Sequence, residues 1–380
     1  MGFFTALLST TIGQLVTALV IGGIALLLTS RFWGGRRPDD IAIRGRLQDT
    51  TAGSIDGSTP ANKHPQPDED VESFTKPVSV NYHFTRKCNK VCGFCFHTEK
   101  TSHVASEDDM KRGLKLLKDA GMIKVNFAGG ELFLYPSKLA MLCEYCKVDL
   151  GLESVSIISN GTKITEKWLQ NHGKYVDVLG VSCDSFDEDT NIQIGRGTGE
   201  NVTQLFRIRG WCRNLGIKFK LNTVVCSFNW EDRTAETIEQ LDPFRWKCFQ
   251  VLEVQDENDA STTDTDLDKR KRNAKRFVIT DEQFQSFCQQ HQHLPCFVPE
   301  SNELMASSYL ILDEYLCFLD KGHGREKQSS SILKVGVAAA LKEVHWDQEA
   351  FLSRGGVYDW SKDMASTGAC GEGLGKDLAW

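Results

Sequence analysis

Positive charge is in short supply in this chain of 380 residues: 44 Lys and Arg face 51 Asp and Glu, a formal net charge of −7. That balance argues against a nonspecific nucleic-acid binder, and no nucleic-acid partner is expected. A disulfide framework is lacking too. The 13 cysteines are odd in number and scattered, the pattern of a reducing compartment rather than of a small secreted domain. No repeat of solenoid period is evident. Residues 2–30 carry no charged side chain, and the run 6–29 approaches the roughly 20 apolar residues that a spanning helix needs. Ser9, Thr10, Thr11, Gln14 and Thr17 interrupt its first half, as on the polar edge of an interfacial helix. Arg31, Trp33, Arg36 and Arg37 follow, a basic and aromatic margin of the kind found on the cytoplasmic side of an anchor. A cleaved signal would need a charged n-region, and the myristoylation pattern fails at Ala6. Residues 1–38 are therefore expected to form a membrane anchor or amphipathic helix, with spanning and interfacial placement both open. Residues 39–75, polar and holding Gly53, Gly57, Pro60, Pro65 and Pro67, are expected to be a disordered linker.

Short apolar runs alternate with amphipathic stretches from residue 76 onward, the mark of a parallel α/β fold. Strands are expected over 78–84, 123–127, 154–159, 176–183, 218–225 and 246–252. Helices are expected over 107–120, 136–147, 166–172, 203–215 and 233–241. Six strands with intervening helices suit a partial (β/α)6 barrel over 76–300, followed by a C-terminal extension over 301–365 that closes the active site and a flexible tail over 366–380. In such a barrel, functional groups gather at the C-terminal ends of the strands.

Three cysteines at Cys88-x3-Cys92-x2-Cys95 lie just past the first expected strand. Thiolates this close on one loop can grip three irons of a cubane cluster and leave the fourth iron open, whereas most iron–sulfur electron carriers supply four cysteines. An open metal position is where a substrate or cofactor binds, as at a catalytic zinc. The alternatives are a partial zinc site completed by His97 or His103, or buried small hydrophobes. Ala128-Gly129-Gly130-Glu131 follows the second strand, where glycines let backbone approach a ligand closely. Ser159-Asn160-Gly161-Thr162 ends the third strand, Ser182-Cys183-Asp184-Ser185 the fourth, and Ile194-Gly195-Arg196-Gly197 comes after it. Lys124, then Lys218, Lys220 and Asn222, then Arg245 and Lys247 lie on strands; the alternating sets each project to one face. Inside a barrel such cations are costly unless an anion pairs with them, which points to a phosphate-rich substrate. An outward, solvated set is the alternative.

The cysteine spacing resembles the signature of the radical S-adenosylmethionine superfamily. Asn81-Tyr-His-Phe-Thr-Arg, Cys92-Gly-Phe-Cys-Phe-His97, Ser182-Cys-Asp-Ser-Phe-Asp187, Pro299-Glu-Ser-Asn302, Ser308-Tyr-Leu-Ile-Leu-Asp-Glu-Tyr315 and Arg354-Gly-Gly-Val-Tyr358 are similar to its viperin-like family across about 76–360. The resemblance implies a [4Fe-4S] cluster on Cys88, Cys92 and Cys95, with S-adenosylmethionine chelating the open iron and cleaved to a 5′-deoxyadenosyl radical. It places Phe94, Gly129, Gly130, Glu131, Ser159, Asn160, Ser182 and Arg196 on that cofactor. Leu132 stands where the family usually has proline. It further implies conversion of CTP to 3′-deoxy-3′,4′-didehydro-CTP by abstraction of the C4′ hydrogen, with loss of the 3′-hydroxyl. Asn81, Lys124, Lys220, Asn222, Arg245 and Lys247 would hold CTP, and Tyr309 would donate to the product radical. Loading by the cytosolic iron–sulfur assembly machinery through Trp380, an electron donor such as a flavoprotein reductase, and antiviral work on the cytosolic face of the endoplasmic reticulum or on lipid droplets come with the same resemblance. Another nucleotide such as UTP, or a noncatalytic scaffold, are the competing functions. Cys288, Cys296 and Cys317 are too dispersed for a second cluster. Residues 251–268, acidic and rich in Ser and Thr, followed by Lys269-Arg-Lys-Arg272, depart from the family and are expected to form an exposed loop.

Overall fold

Seven strands follow one another in sequence order across a single sheet, with an eighth and ninth added beyond the first. The full order is β7-β6-β5-β4-β3-β2-β1-β8-β9. The computed structural model describes residues 76–254, 257–259, 272–320 and 327–362. The expected anchor, linker and tail, including Trp380, and most of the basic run before Asn273 lie outside them. Among the described residues no helix is long and apolar enough to cross a membrane.

The strands are β1 (Ser79–Tyr82), β2 (Lys124–Phe127), β3 (Ser154–Ser159), β4 (Val178–Ser182), β5 (Lys218–Val225), β6 (Arg245–Gln250), β7 (Phe297–Glu300), β8 (Ile311–Leu312) and β9 (Phe318–Leu319). All neighbours from β7 through β8 pair parallel, and only β9 runs antiparallel. Strands covered on both faces read as near-continuous apolar runs, and β4, Val-Leu-Gly-Val-Ser, is buried at its first four positions. The helices that cover them are α1 (Glu107–Asp119), α2 (Pro136–Glu144), α3 (Glu166–His172), α4 (Glu188–Ile194), α5 (Asn201–Leu215), α6 (Ala235–Leu241), α7 (Asp281–His291), α8 (Asn302–Ser308), α9 (Ile332–Val335), α10 (Val337–Lys342) and α11 (Gln348–Ser353).

Local chemistry sets their ends. Ser106, Thr165 and Thr280 each accept a backbone N–H at a helix start, and Thr280 completes a capping box with Gln283. Gly195 and Gly216, at φ 87° and 64°, end α4 and α5 in the left-handed conformation that glycine adopts without a Cβ penalty.

The six expected strands are present, as the partial barrel requires. The structure extends that expectation with β7 at one edge and β8–β9 at the other. β8 and β9, two residues each, are too short to carry a period, and β7, Phe-Val-Pro-Glu, holds a proline that argues against a strand. The pairing of β8 with β1 is what returns residues after Ser308 to the barrel mouth: Asn81 N–H donates to the Leu310 carbonyl at 2.9 Å and His83 N–H to that of Leu312 at 2.8 Å. One expectation is corrected. Residues 257–259, within the stretch read as an exposed loop, are buried. Glu257 takes part in an ion pair with buried Arg86 at 3.3 Å, and the Asn258 amide donates to the Phe94 carbonyl at 2.8 Å. An acidic composition signalled solvent, but this carboxylate balances an interior guanidinium.

Candidate active site

The loop that leaves β1 carries Cys88, Cys92 and Cys95, and it rests on the glycines after β2. Gly130 N–H donates to the Thr85 carbonyl and Glu131 N–H to the Lys87 carbonyl, both at 2.8 Å. A Cβ added to Gly129, whose φ is 112°, would sit 2.6 Å from the Thr85 oxygen; one on Gly130 would sit 2.1 Å from that of Lys87. The cysteine loop itself makes a close approach that demands glycine here, while both glycines also line the cavity where a ligand would approach. Gly195 supports the loop from the other side. Val91 N–H donates to its carbonyl at 3.1 Å, and a Cβ there would meet the Val91 oxygen at 2.5 Å.

All three thiols line one cavity of about 350 Å³. Burial raises each of their pKa values, that of Cys92 to about 12. Their thiolate forms therefore call for a strong local positive charge, which bound iron provides. A zinc ion would need its ligands gathered in one tetrahedron. Among the described residues no three His, Cys, Asp or Glu side chains gather so, and His97 packs edge-on against His83 at 4.4 Å. A cubane is gripped corner by corner and imposes no such convergence. The three thiols and the absence of a fourth ligand on the loop fit that group.

Most of the residues expected at S-adenosylmethionine lie around these thiols. Phe94, Gly129, Gly130, Ser159, Asn160, Ser182 and Arg196 all line the cavity. The Asn160 amide points its nitrogen at the Cys88 sulfur at 3.8 Å. Arg196 is ion-paired with Asp184, and its guanidinium lies 5.9 Å from the Phe94 ring. Burial disfavours the charged guanidinium, but Asp184 reverses that and holds it cationic. Glu131 is placed differently. It is fully buried, and it accepts from Ser159 Oγ at 2.8 Å, Asn160 N–H at 2.8 Å and Phe133 N–H at 3.0 Å. It does not line the cavity; its carboxylate ties the end of β2 to the end of β3. Burial raises its pKa while these hydrogen bonds oppose the rise.

The other end of the same cavity is cationic. Asn81, Lys124, Lys220, Asn222, Lys247 and Tyr309 line it, and Asn126 donates to Asn81 at 2.7 Å. These cations project inward, as β5 alternation allowed. Lys247 reaches Glu300 and donates to the Tyr309 hydroxyl at 2.7 Å, while that hydroxyl donates to Glu300. Arg354 adds a second cation to Glu300 at 3.2 Å and lies 4.1 Å from the Tyr309 ring centre. Burial would raise the Glu300 carboxyl, but Lys247 and Arg354 overcome it and hold it at about 2. Burial pushes Tyr309 well above the phenol range, so it keeps its proton. Arg245 does not line the cavity. Its guanidinium lies 4.2 Å from the ring centre of Tyr358, whose hydroxyl accepts from Lys124 at 3.3 Å. Burial would raise that phenol, yet Lys124, Lys220 and Arg245 bring it to about 7. Lys218 is bound to Asp359 at 2.9 Å and takes no part in the cavity. Lys220 has no hydrogen bond or ion pair among the described residues, and burial lowers it to about 8.

Glu300, Arg354 and Tyr358 were not assigned roles from sequence. Each lies inside a stretch that carried the family resemblance, Pro299-Glu-Ser-Asn302 or Arg354-Gly-Gly-Val-Tyr358, and that was the available signal.

Residues 82–240 match the model of the Radical SAM superfamily. The S-adenosylmethionine-dependent nucleotide dehydratase RSAD2 of Siniperca chuatsi is 50% identical over 323 residues, covering 82% of this chain and 88% of that protein. This chain belongs to the viperin-like radical SAM nucleotide dehydratase family. The relative of the same name from Oncorhynchus mykiss is 51% identical over 290 residues, covering 75% of this chain and 81% of its own. The solved structure of native anSMEcpe with bound AdoMet aligns with a TM-score of 0.51 over 70% of this chain and 80% of that one. At 14% identity it shows the shared fold.

As a member of this family the chain uses a [4Fe-4S] cluster and S-adenosylmethionine. Cys88, Cys92 and Cys95 would hold the cluster. The family's paired glycine then has a measurable duty in seating their loop. Gly130→Ala forces a methyl group onto the Lys87 carbonyl. It is expected to destabilise the fold by about 1–3 kcal/mol and to lower iron bound per chain after anaerobic reconstitution, read by iron and sulfide analysis with folding checked by circular dichroism.

Proposed function

We propose that this chain converts CTP to 3′-deoxy-3′,4′-didehydro-CTP, as an S-adenosylmethionine-dependent lyase. The observation that carries the reading is Lys220, a half-buried cation with no hydrogen bond or ion pair among the described residues, opening into the cavity that the three thiols line. Desolvation lowers its pKa to about 8 although Tyr358 opposes the fall; a charge held in this way is costly until an anion pairs with it, and a triphosphate supplies that anion. Lys124 and Lys247 flank it, and Asn81 and Asn222 offer uncharged donors and acceptors to a sugar or base.

When bound, the cluster and S-adenosylmethionine supply a 5′-deoxyadenosyl radical able to take the C4′ hydrogen of the nucleotide. The chain's own residues do the rest. Lys220, Lys124 and Lys247 orient the triphosphate, and with it the ribose, by charge-assisted hydrogen bonds. Loss of the 3′-hydroxyl as water from the C4′ radical consumes one proton and one electron. Tyr309, with its proton intact and its hydroxyl fixed between Lys247 and Glu300, is the group we assign to deliver both, becoming a neutral tyrosyl radical that one electron from the external donor and one proton restore. The same reading has the enzyme anchored through residues 6–29 to the cytosolic face of the endoplasmic reticulum or to lipid droplets, and loaded through Trp380.

Anaerobic turnover of the reconstituted chain with CTP, UTP, ATP or GTP tests the substrate. CTP alone is expected to stimulate 5′-deoxyadenosine, matched by a nucleotide product lighter by one water. Stimulation by UTP instead moves the substrate, and a loaded cluster that yields no deoxyadenosine with any nucleotide overturns the reading in favour of a scaffold. Binding also carries a pH signature. Lys220 loses its proton as pH rises through about 8, and Tyr358 gains negative charge through about 7 beside Lys124 and Arg245. Both changes weaken a polyphosphate site. CTP affinity by calorimetry is therefore expected to fall severalfold between pH values below 7 and above 8, and Lys220→Met should be weak throughout.

A further inference from the structure

Asn258 is fully buried, although asparagine is mostly a surface residue. Every polar group it carries is engaged. Its amide nitrogen donates to the Phe94 carbonyl at 2.8 Å and to the Leu252 carbonyl at 3.0 Å. Its amide oxygen accepts from Val254 N–H at 2.7 Å. Its backbone N–H donates to the Val254 carbonyl at 3.1 Å, and its own carbonyl accepts from Ala274 N–H at 2.8 Å. Three segments therefore meet on one residue: the cysteine loop, the chain leaving β6 and the stretch before α7.

What these segments share is the cavity. Phe94, Leu252 and Val254 all line it. Phe94 precedes Cys95, and its ring packs edge-on against that of Phe277 at 5.5 Å, three residues beyond Ala274. The ring of Phe94 is thus fixed by Phe277 and its carbonyl by Asn258. An amide suits this task, because its two N–H donors point in fixed directions from one nitrogen. A hydroxyl, with one donor, or a carboxylate, with none, cannot hold both carbonyls. Asn258 is not alone in keeping its segment on the loop. Glu257 pairs with Arg86 at 3.3 Å and accepts from the Thr98 hydroxyl at 3.3 Å. What falls to Asn258 is the spacing of two walls.

We propose that Asn258 is a positioning residue for S-adenosylmethionine, fixing the Phe94 wall of the cofactor site against the wall formed by Leu252 and Val254. Asn258 does not itself line the cavity, and it acts through the two carbonyls it holds. The proposal rests on the family's cofactors but not on the identity of the nucleotide.

Calorimetric titration of the reconstituted full chain with S-adenosylmethionine, in the absence of nucleotide, tests it. Asn258→Ala removes both donors and leaves two carbonyls without them, so cofactor affinity is expected to fall about tenfold or more. Asn258→Ser keeps one donor and should fall between the alanine variant and the parent. Iron per chain, and the electron paramagnetic resonance spectrum of the reduced cluster without cofactor, should match the parent because Glu257 still holds the loop. CTP affinity, measured separately, should match as well. Unchanged cofactor affinity in the alanine variant would overturn the proposal. Loss of iron in both variants would make Asn258 a support of the cysteine loop and overturn it too, as would an equal weakening of CTP, the sign of a general loosening. If the alanine variant alone loses iron, the serine variant decides: weaker cofactor binding at full iron supports the proposal, and parental affinity overturns it. Failure of the nucleotide reading looks different, since the parent would then bind S-adenosylmethionine but not CTP.

Discussion

Backbone set against backbone, with no side chain between, is the constraint on which the site depends. The loop from Thr85 to Cys95 has no regular structure of its own. It is positioned because Gly130 and Glu131 donate to it from the end of β2, and because Gly195 receives it from the end of α4. At Gly129 and Gly130 the loop passes so close that a Cβ would sit 2.6 and 2.1 Å from its carbonyl oxygens, and glycine leaves that space empty. From this seat follow the shared wall of three thiols, the position of Asn160 beside Cys88, and the exposure of Val91 on the outer side of the same loop. Glu131 completes the floor from beneath, tying β2 to β3 with a carboxylate whose acceptors are filled by Ser159, Asn160 and Phe133.

The opposite end of the cavity follows a different logic, that of charge which the interior cannot leave unbalanced. Lys247 and Arg354 share Glu300, and Tyr309 is drawn into the same group. Lys124 and Arg245 surround the Tyr358 ring, and Lys218 takes Asp359. Burial lowers the pKa of Lys220, and an incoming polyphosphate would raise it again. Residues 300–359 contribute the balancing groups. The segment after β7 therefore sets which cations are held by the protein and which remain for a ligand.

Much of this was legible before any coordinates. The spacing of Cys88, Cys92 and Cys95 pointed to an open metal position, with a zinc site or buried small hydrophobes as the alternatives, and strand periodicity located β1 to β6. The inward direction of Lys220 and Lys247 was half legible: alternation put them on one face but could not say which face. Other features escaped for identifiable reasons. β8 and β9 are two residues each, too short to carry a period, and they are held by pairing with distant β1. Glu300 and Tyr358 are read as functional only once Lys247 and Lys124 are seen beside them. Glu257 looked like solvated acid because its partner, Arg86, lies 171 positions away. Glu131 was legible as important, but its role as a brace rather than a cavity wall depends on three neighbours that only the fold assembles.

The central claim is that one cavity brings the cluster-bound cofactor and the sugar of a cation-held nucleotide together. Anaerobic turnover with CTP deuterated at C4′ tests this most directly, by mass analysis of the 5′-deoxyadenosine produced. The account predicts one deuterium carried into 5′-deoxyadenosine, with the label lost from the nucleotide product. Unlabelled 5′-deoxyadenosine, formed while the nucleotide keeps its deuterium, would contradict it.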